Sequence, residues 1–169
     1  MMCCITGVPG TGKSSVSSLL EERGYPVIRL VDVIGEYTLS VDTERMTTIV
    51  DEERLSREFS PVDGYVEGLL THFLPCDRVV VLRCRPDVLR KRLMDRGYTP
   101  VKVDENVEAE ALDVILIETV ERHPPHHILE IDTTVITPAE AADRIEGFVA
   151  GRTPASFGDI DWSDYLVGA

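Results

Sequence analysis

The sequence predicts a three-layer α/β domain, a parallel sheet with helices on both faces, and three observations lead there. Short apolar runs alternate along the chain with segments of helical periodicity. One run, Val79-Val80-Val81-Leu82, is apolar on both faces, as a strand covered from two sides must be. At 169 residues the chain has the length of one compact domain, so 1–169 reads as a single unit.

Residues 1–6 are apolar and run straight into glycine and proline, which predicts a buried first strand entering a turn. Val16, Leu19 and Leu20 then fall at helical spacing over 14–22, and Gly24 ends that helix. Residues 26–31 form a second strand. From 32 to 59 the pattern turns polar and helical, with Asp51-Glu52-Glu53 opening a helix that carries Leu55 and Phe59. A third strand covers 64–67 and a fourth 78–82. Pro86 suits the first turn of a helix over 86–96, closed by Gly97. A polar stretch at 98–104 leads to one long helix over 105–122, which Pro124-Pro125 stops. The fifth strand is 128–131, and 138–149 is a last amphipathic helix. The tail, 151–169, lacks periodicity, although Trp162, Tyr165 and Leu166 offer docking groups.

Composition narrows the partners. Hydrophobic residues make up 43% and charged residues 28%, the balance of a folded globule. Acidic side chains outnumber basic ones 30 to 17, for a net charge of -13, and that field opposes broad binding to nucleic acid. The cysteines Cys3, Cys4, Cys76 and Cys84 form no metal-finger or redox spacing, so all four are expected to be reduced packing residues in a cytoplasmic protein. No apolar run approaches the roughly 18 residues of a membrane span, and the first strand beginning at Met1 leaves no expected room for a targeting peptide.

Gly7-Val8-Pro9-Gly10-Thr11-Gly12-Lys13-Ser14 matches G-x-x-x-x-G-K-[ST] at every position. Glycines allow a turn whose successive N–H groups point inward at phosphate oxygens. Lys13 brings charge to the β- and γ-phosphates, and the Ser14 hydroxyl is placed to ligate magnesium. The following helix adds the positive end of its dipole. A glycine-rich turn can arise by chance, but here a strand precedes it and a helix follows, as phosphate binding requires. The expectation is therefore a P-loop nucleoside-triphosphate hydrolase fold with a five-stranded parallel sheet and ATP as ligand.

A magnesium-side carboxylate belongs at the end of a neighbouring strand, and Glu67 closes Gly64-Tyr65-Val66-Glu67. Asp32 and Asp132 follow other strands and serve equally as loop or capping residues. Arg92 and Arg96 lie one turn apart on one helix face, just before the polar stretch, where a lid would close. The competing reading is a solvated basic face shared with Arg90 and Lys91; the P-loop tips the choice towards a functional Arg96. His123, His126 and His127 read as a polar, exposed turn, and His72 as structural, because no ligand spacing accompanies them.

The chain resembles the archaeal and eukaryotic adenylate kinase isoenzyme 6 family. The resemblance rests on the opening P-loop, Val50-Asp51-Glu52-Glu53-Arg54-Leu55, residues 79–83, Arg92-Leu93-Met94-Asp95-Arg96-Gly97-Tyr98, Glu105-Asn106-Val107-Glu108-Ala109-Glu110 and Ile131-Asp132-Thr133-Thr134. It implies a nucleoside-monophosphate kinase core, with a monophosphate-binding segment at 30–53 and a lid at 95–105. Carried over by position, it places ATP contacts at Gly10, Thr11, Gly12, Lys13, Ser14, Ser15 and Arg96, with Lys13, Arg96 and Glu67 in catalysis. Magnesium falls to Ser14 and, through water, to Glu67. It also implies AMP or another nucleoside monophosphate as acceptor, modest ATPase activity, and a role in small ribosomal subunit maturation with a small-subunit ribosomal protein as partner. One departure stands out: the family often has Asp-x-His where this chain has Glu67-Gly68-Leu69, and His72 comes three residues late. Two alternatives accompany the kinase reading: an ATP-switched assembly factor, and a metabolite kinase whose expected Asp-x-Asp is missing at Arg29-Leu30-Val31-Asp32.

Overall fold

A computed structural model describes residues 1–42 and 47–166. Five strands, β1 (Met2–Thr6), β2 (Val27–Arg29), β5 (Gly64–Glu67), β6 (Arg78–Arg83) and β7 (Ile128–Asp132), form a sheet in the order β2-β5-β1-β6-β7. All neighbours run parallel, with Ile5 opposite Glu67 on one side of β1 and opposite Val80 on the other. Chain order reverses beside β1, so the loops at its carboxyl end border an open crevice, where such sheets bind ligands.

The period of two along each strand sorts side chains into two cores. Cys3, Ile5, Val80 and Leu82 face α1 (Lys13–Glu22) and α7 (Pro138–Val149). Cys4, Val66, Val79 and Val81 face α4 (Pro86–Asp95), α5 (Pro100–Ala111) and α6 (Val114–Arg122). Val79, Val80, Val81 and Leu82 are fully buried, each stabilising the fold by about 1.5–3 kcal/mol relative to an exposed side chain. Local chemistry sets the helix ends. Pro86 occupies the first turn of α4, Gly97 follows it at φ 76°, and Thr137 and Glu140 form a reciprocal cap on α7.

Four sequence expectations change. The 105–122 helix begins earlier, at Pro100, and is broken in two. The break falls at Asp113, the one non-glycine residue with positive φ (56°) among those described. Against the break packs Arg83, which is 1% exposed at the end of β6. Arg83 bonds the Glu110 carboxylate through Nε at 2.7 Å and the Glu110 carbonyl at 3.0 Å, and pairs with Asp113 and Glu130. The Glu110 carbonyl also accepts the Asp113 N–H at 3.2 Å, so α5 ends in a tight turn that Arg83 braces. The segment expected as a lid, 95–105, is mostly helical, with a short linker at 96–99.

Within the polar stretch 32–59, α2 (Leu30–Val33) and α3 (Glu52–Glu58) are helical, but β3 (Thr38–Asp42) and β4 (Thr47–Val50) form an antiparallel pair. Their run of threonine, valine and isoleucine favours strand over helix. Residues 43–46 of the expected monophosphate segment lie outside the described residues, as do 167–169 of the tail.

Cys4 and Cys76 are joined in a disulfide with Cα atoms 6.0 Å apart, which corrects the expectation of four reduced thiols. A separation of 72 residues gives no local signal; the pairing follows from β6 lying beside β1. Cys3 and Cys84 are free and buried. Finally, His123 is buried, against the expected exposure, while His126 is exposed.

The tail docks, as its aromatic residues allow. Ser156 bridges the edge of β7, and Tyr165 reaches Asp87 of α4 with its hydroxyl 3.3 Å away. No helix among the described residues is long and apolar enough to cross a membrane.

Candidate phosphate-binding site

Thr6 ends β1, residues 7–12 turn, and α1 begins at Lys13. Gly7, Gly10 and Gly12 all adopt positive φ. At Gly7 a Cβ would overlap the Leu82 carbonyl of β6, and at Gly10 it would meet Leu89 at 2.7 Å. The loop therefore lies flat on β6 and α4 because glycine permits both the turn and the approach. Thr11 is fully buried, its hydroxyl bonded to the Val8 carbonyl at 2.9 Å. It offers a ligand its backbone alone. Ser14 and Ser15 are exposed at the head of α1.

Lys13 folds back across the loop, donating to the carbonyls of Gly7 at 2.7 Å and Val8 at 3.1 Å. Burial pushes its ammonium down to about 8; Arg96 adds to that fall, and Glu67 and Glu110 oppose it. Glu67 ends β5, 6% exposed, and burial raises its carboxyl above the usual range while Lys13 and Arg29 pull it back. Charges from two other elements, Glu67 at the end of β5 and Arg96 after α4, thus act in opposite directions on Lys13.

The two expected arginines separate in role. Arg92 ties the loop to the segment after β7: Nη2 donates to the Thr133 carbonyl at 2.9 Å and the Thr134 carbonyl at 3.3 Å, and Nη1 to the Gly10 carbonyl at 3.3 Å. Arg96 is exposed at the end of α4 and makes no hydrogen bond or ion pair among the described residues. Thr133, which sequence reasoning missed as a site residue, sets its hydroxyl within donating reach of two carbonyls, of Thr11 (2.7 Å) and Arg83 (2.8 Å), one of which takes its proton at a time. Asp132 accepts from the Thr134 N–H at 2.8 Å, a turn-capping role, and Asp32 lies in α2.

Two clefts flank the loop. One, of about 230 Å³, is lined by Gly10, Gly12, Ser15, Arg92, Arg96 and Ile136. The other, of about 430 Å³, lies between α2 and α5, with Leu30, Ile34 and Val50 on an apolar wall and Glu67, Tyr98 and Asn106 opposite. A more voluminous hollow, about 850 Å³ beside Phe73 and Arg122, is lined by neither the loop nor Glu67, Arg92 or Arg96. His72 is fully buried, its ring spanning Thr6 Oγ1 (3.1 Å) and Glu118 Oε2 (2.9 Å). Burial pushes it down to about 4. His123 donates from Nε2 to the His72 carbonyl at 2.7 Å. Among the described residues no group of three His, Cys, Asp or Glu side chains is arranged to hold a metal.

Comparison with known proteins defines the class first. A family model described as an AAA domain matches residues 3–113, and solved structures share the fold: a deoxyadenosine kinase from M. mycoides (TM-score 0.60, 13% identity, 89% of this chain and 99% of that chain) and a gluconokinase from Sinorhizobium meliloti (0.56, 19%, 89% and 91%). At such identities they speak for the fold alone. Full-length relatives narrow it. A "Putative adenylate kinase" of Natronomonas pharaonis is 40% identical, covering 98% of this chain and all of the relative. One of Archaeoglobus fulgidus is 41% identical over 98% and 94%. The chain belongs to this archaeal family of adenylate-kinase-like P-loop proteins.

Proposed function

We propose that the protein transfers the terminal phosphoryl group of magnesium-bound ATP to AMP, giving two ADP. The observation that carries the reading is the placement of two separate clefts on either side of one phosphate loop, with Arg96 lining the smaller, Glu67 the larger, and Lys13 in the loop they flank. ATP takes the smaller cleft, its phosphates on the amides of residues 10–15. AMP takes the larger, its base against Leu30 and Val50. An AMP phosphate oxygen attacks the γ-phosphorus in line, the bond from phosphorus to the β–γ bridging oxygen breaks, and the original ADP leaves. Lys13 exchanges its two loop carbonyls for β- and γ-phosphate oxygens, and Arg96 swings in to neutralise charge on the transferring group.

The oxygen donors of Ser14 and Glu67 suit magnesium, which keeps several waters and needs few protein ligands. Bound there, the ion would screen the β- and γ-phosphate charge. Single-domain organisation over 1–169 and a cytoplasmic setting, where ATP is plentiful, belong to the same proposal. The resemblance to the isoenzyme 6 family extends it to small ribosomal subunit maturation with a small-subunit ribosomal protein as partner. Hydrolysis is expected to be weak. The buried His72 is engaged by Thr6 and Glu118, so it does not replace the family's imidazole beside the strand-end carboxylate.

A coupled assay for ADP tests this with AMP, with other monophosphates and without acceptor. Production that depends on AMP, and that Lys13→Ala abolishes with the fold retained, supports the kinase. Equal rates with and without any acceptor would refute it.

A further inference from the structure

We propose that Lys102 is the group that grips the phosphate of the acceptor nucleotide, and that Glu105 competes with that phosphate for it. The proposal rests on the larger cleft being the acceptor site. Lys102 is the sole lysine or arginine among the described residues lining that cleft, which also presents the carboxylates of Glu67 and Glu105. A phosphate dianion entering between two carboxylates meets repulsion unless a cation intervenes. Lys13 answers to the donor phosphates, and Arg96 lines the smaller cleft.

The position of Lys102 is electrostatically unfavourable for helix stability. It lies in the first turn of α5, where exposed amides favour acidic side chains, and that turn holds no acidic residue. Positive charge from the helix end and from Lys102 is thus gathered on one wall of the cleft. Its backbone is fixed: the N–H meets Thr99 Oγ1 at 3.4 Å, and the carbonyl accepts from Asn106 Nδ2 at 2.6 Å. The ammonium meets Glu105 Oε2 at 2.8 Å, in a pair whose side chains are 21% and 48% exposed. Such a partly solvated pair is weak and gives way to a dianion. Lys102 would then select acceptors carrying a phosphate over bare nucleosides.

Initial rates with AMP and ATP varied separately, together with AMP titration calorimetry, test it on wild type, Lys102→Gln, Lys102→Arg and Glu105→Gln. Lys102→Gln should raise the KM for AMP roughly tenfold or more, the loss of one charge-assisted hydrogen bond, with the KM for ATP unchanged. Lys102→Arg should restore AMP binding to within about threefold, and Glu105→Gln should tighten it by removing one competitor. An AMP affinity of Lys102→Gln within about twofold of wild type overturns the proposal, as does a parallel rise of both KM values, which marks loosening of α5. Wild type that binds AMP through Lys102 yet shows no transfer would refute the kinase reading and leave the clamp standing. Wild type that fails to bind AMP refutes both.

Discussion

Replacing Arg92 and Arg96 separately should split stability from turnover. Arg92 is half-buried and makes one well-formed charged bond, to the Thr133 carbonyl at 2.9 Å, and longer ones to Gly10 and Thr134. One charge-assisted bond contributes about 2 kcal/mol and each long one a few tenths, so Arg92→Ala should cost about 2–3 kcal/mol. For a chain of this length that lowers Tm by roughly 5–10 °C. Because the lost bonds hold the phosphate loop against residues 133–134, the KM for ATP should rise as well. Arg92→Lys should recover little, since an ammonium lacks the planar fork that reaches several carbonyls. Arg96 has no bonding partner among the described residues, so Arg96→Ala should leave stability within about 0.5 kcal/mol. Its kcat should fall by on the order of a hundredfold, the loss of one transition-state donor. Urea melts and initial rates on the same preparations give both numbers. Equal stabilities for the two variants, or an Arg96→Ala turnover within about twofold of wild type, would refute the assignment.

Three further outcomes follow from burial and covalent structure. Lys13 is depressed to about 8 in the free protein, so above that pH the ammonium is largely neutral and ATP binding must recharge it. Calorimetry at pH 9 in buffers of different ionisation heat should show uptake of about one proton, and no uptake would contradict the buried lysine. His72, held near 4 against 6.5 in the unfolded chain, binds its proton less well when folded. Stability from this group is therefore complete above 6.5 and lost as pH falls towards 4, by on the order of 3 kcal/mol, and His72→Gln should flatten that slope in urea melts. The Cys4–Cys76 bond closes a loop spanning 72 residues, so reduction should cost about 4 kcal/mol. Thiol titration of unfolded, unreduced protein should find Cys3 and Cys84 alone, and four reactive thiols would rule the bond out.

The sheet and the phosphate loop were legible because each rests on local chemistry. Runs such as 79–82 have the length and two-sided apolarity of a central strand, and the spacing of Gly7, Gly10, Gly12 and Lys13 encodes a backbone conformation directly. What escaped depends on contacts across the fold. The helix break at Asp113 is braced by Arg83, which is 30 residues away in sequence, so no local pattern announces it. Arg92 and Arg96 share a helix face, yet their roles are divided by Thr133, which reaches Arg92 only after β7 has paired with β6. The antiparallel pair β3 and β4 escaped for another reason: its β-branched residues are visible in sequence, but the polar composition around them hides the signal. The larger cleft needed the structure, because its walls come from residues near 30, 50, 67 and 102.

The most direct test follows the label from terminally labelled ATP in the presence of magnesium and AMP. Recovery of the label in ADP, at the position that was the acceptor's, is the predicted result. Label released as inorganic phosphate at the same rate whether or not AMP is present would contradict the account.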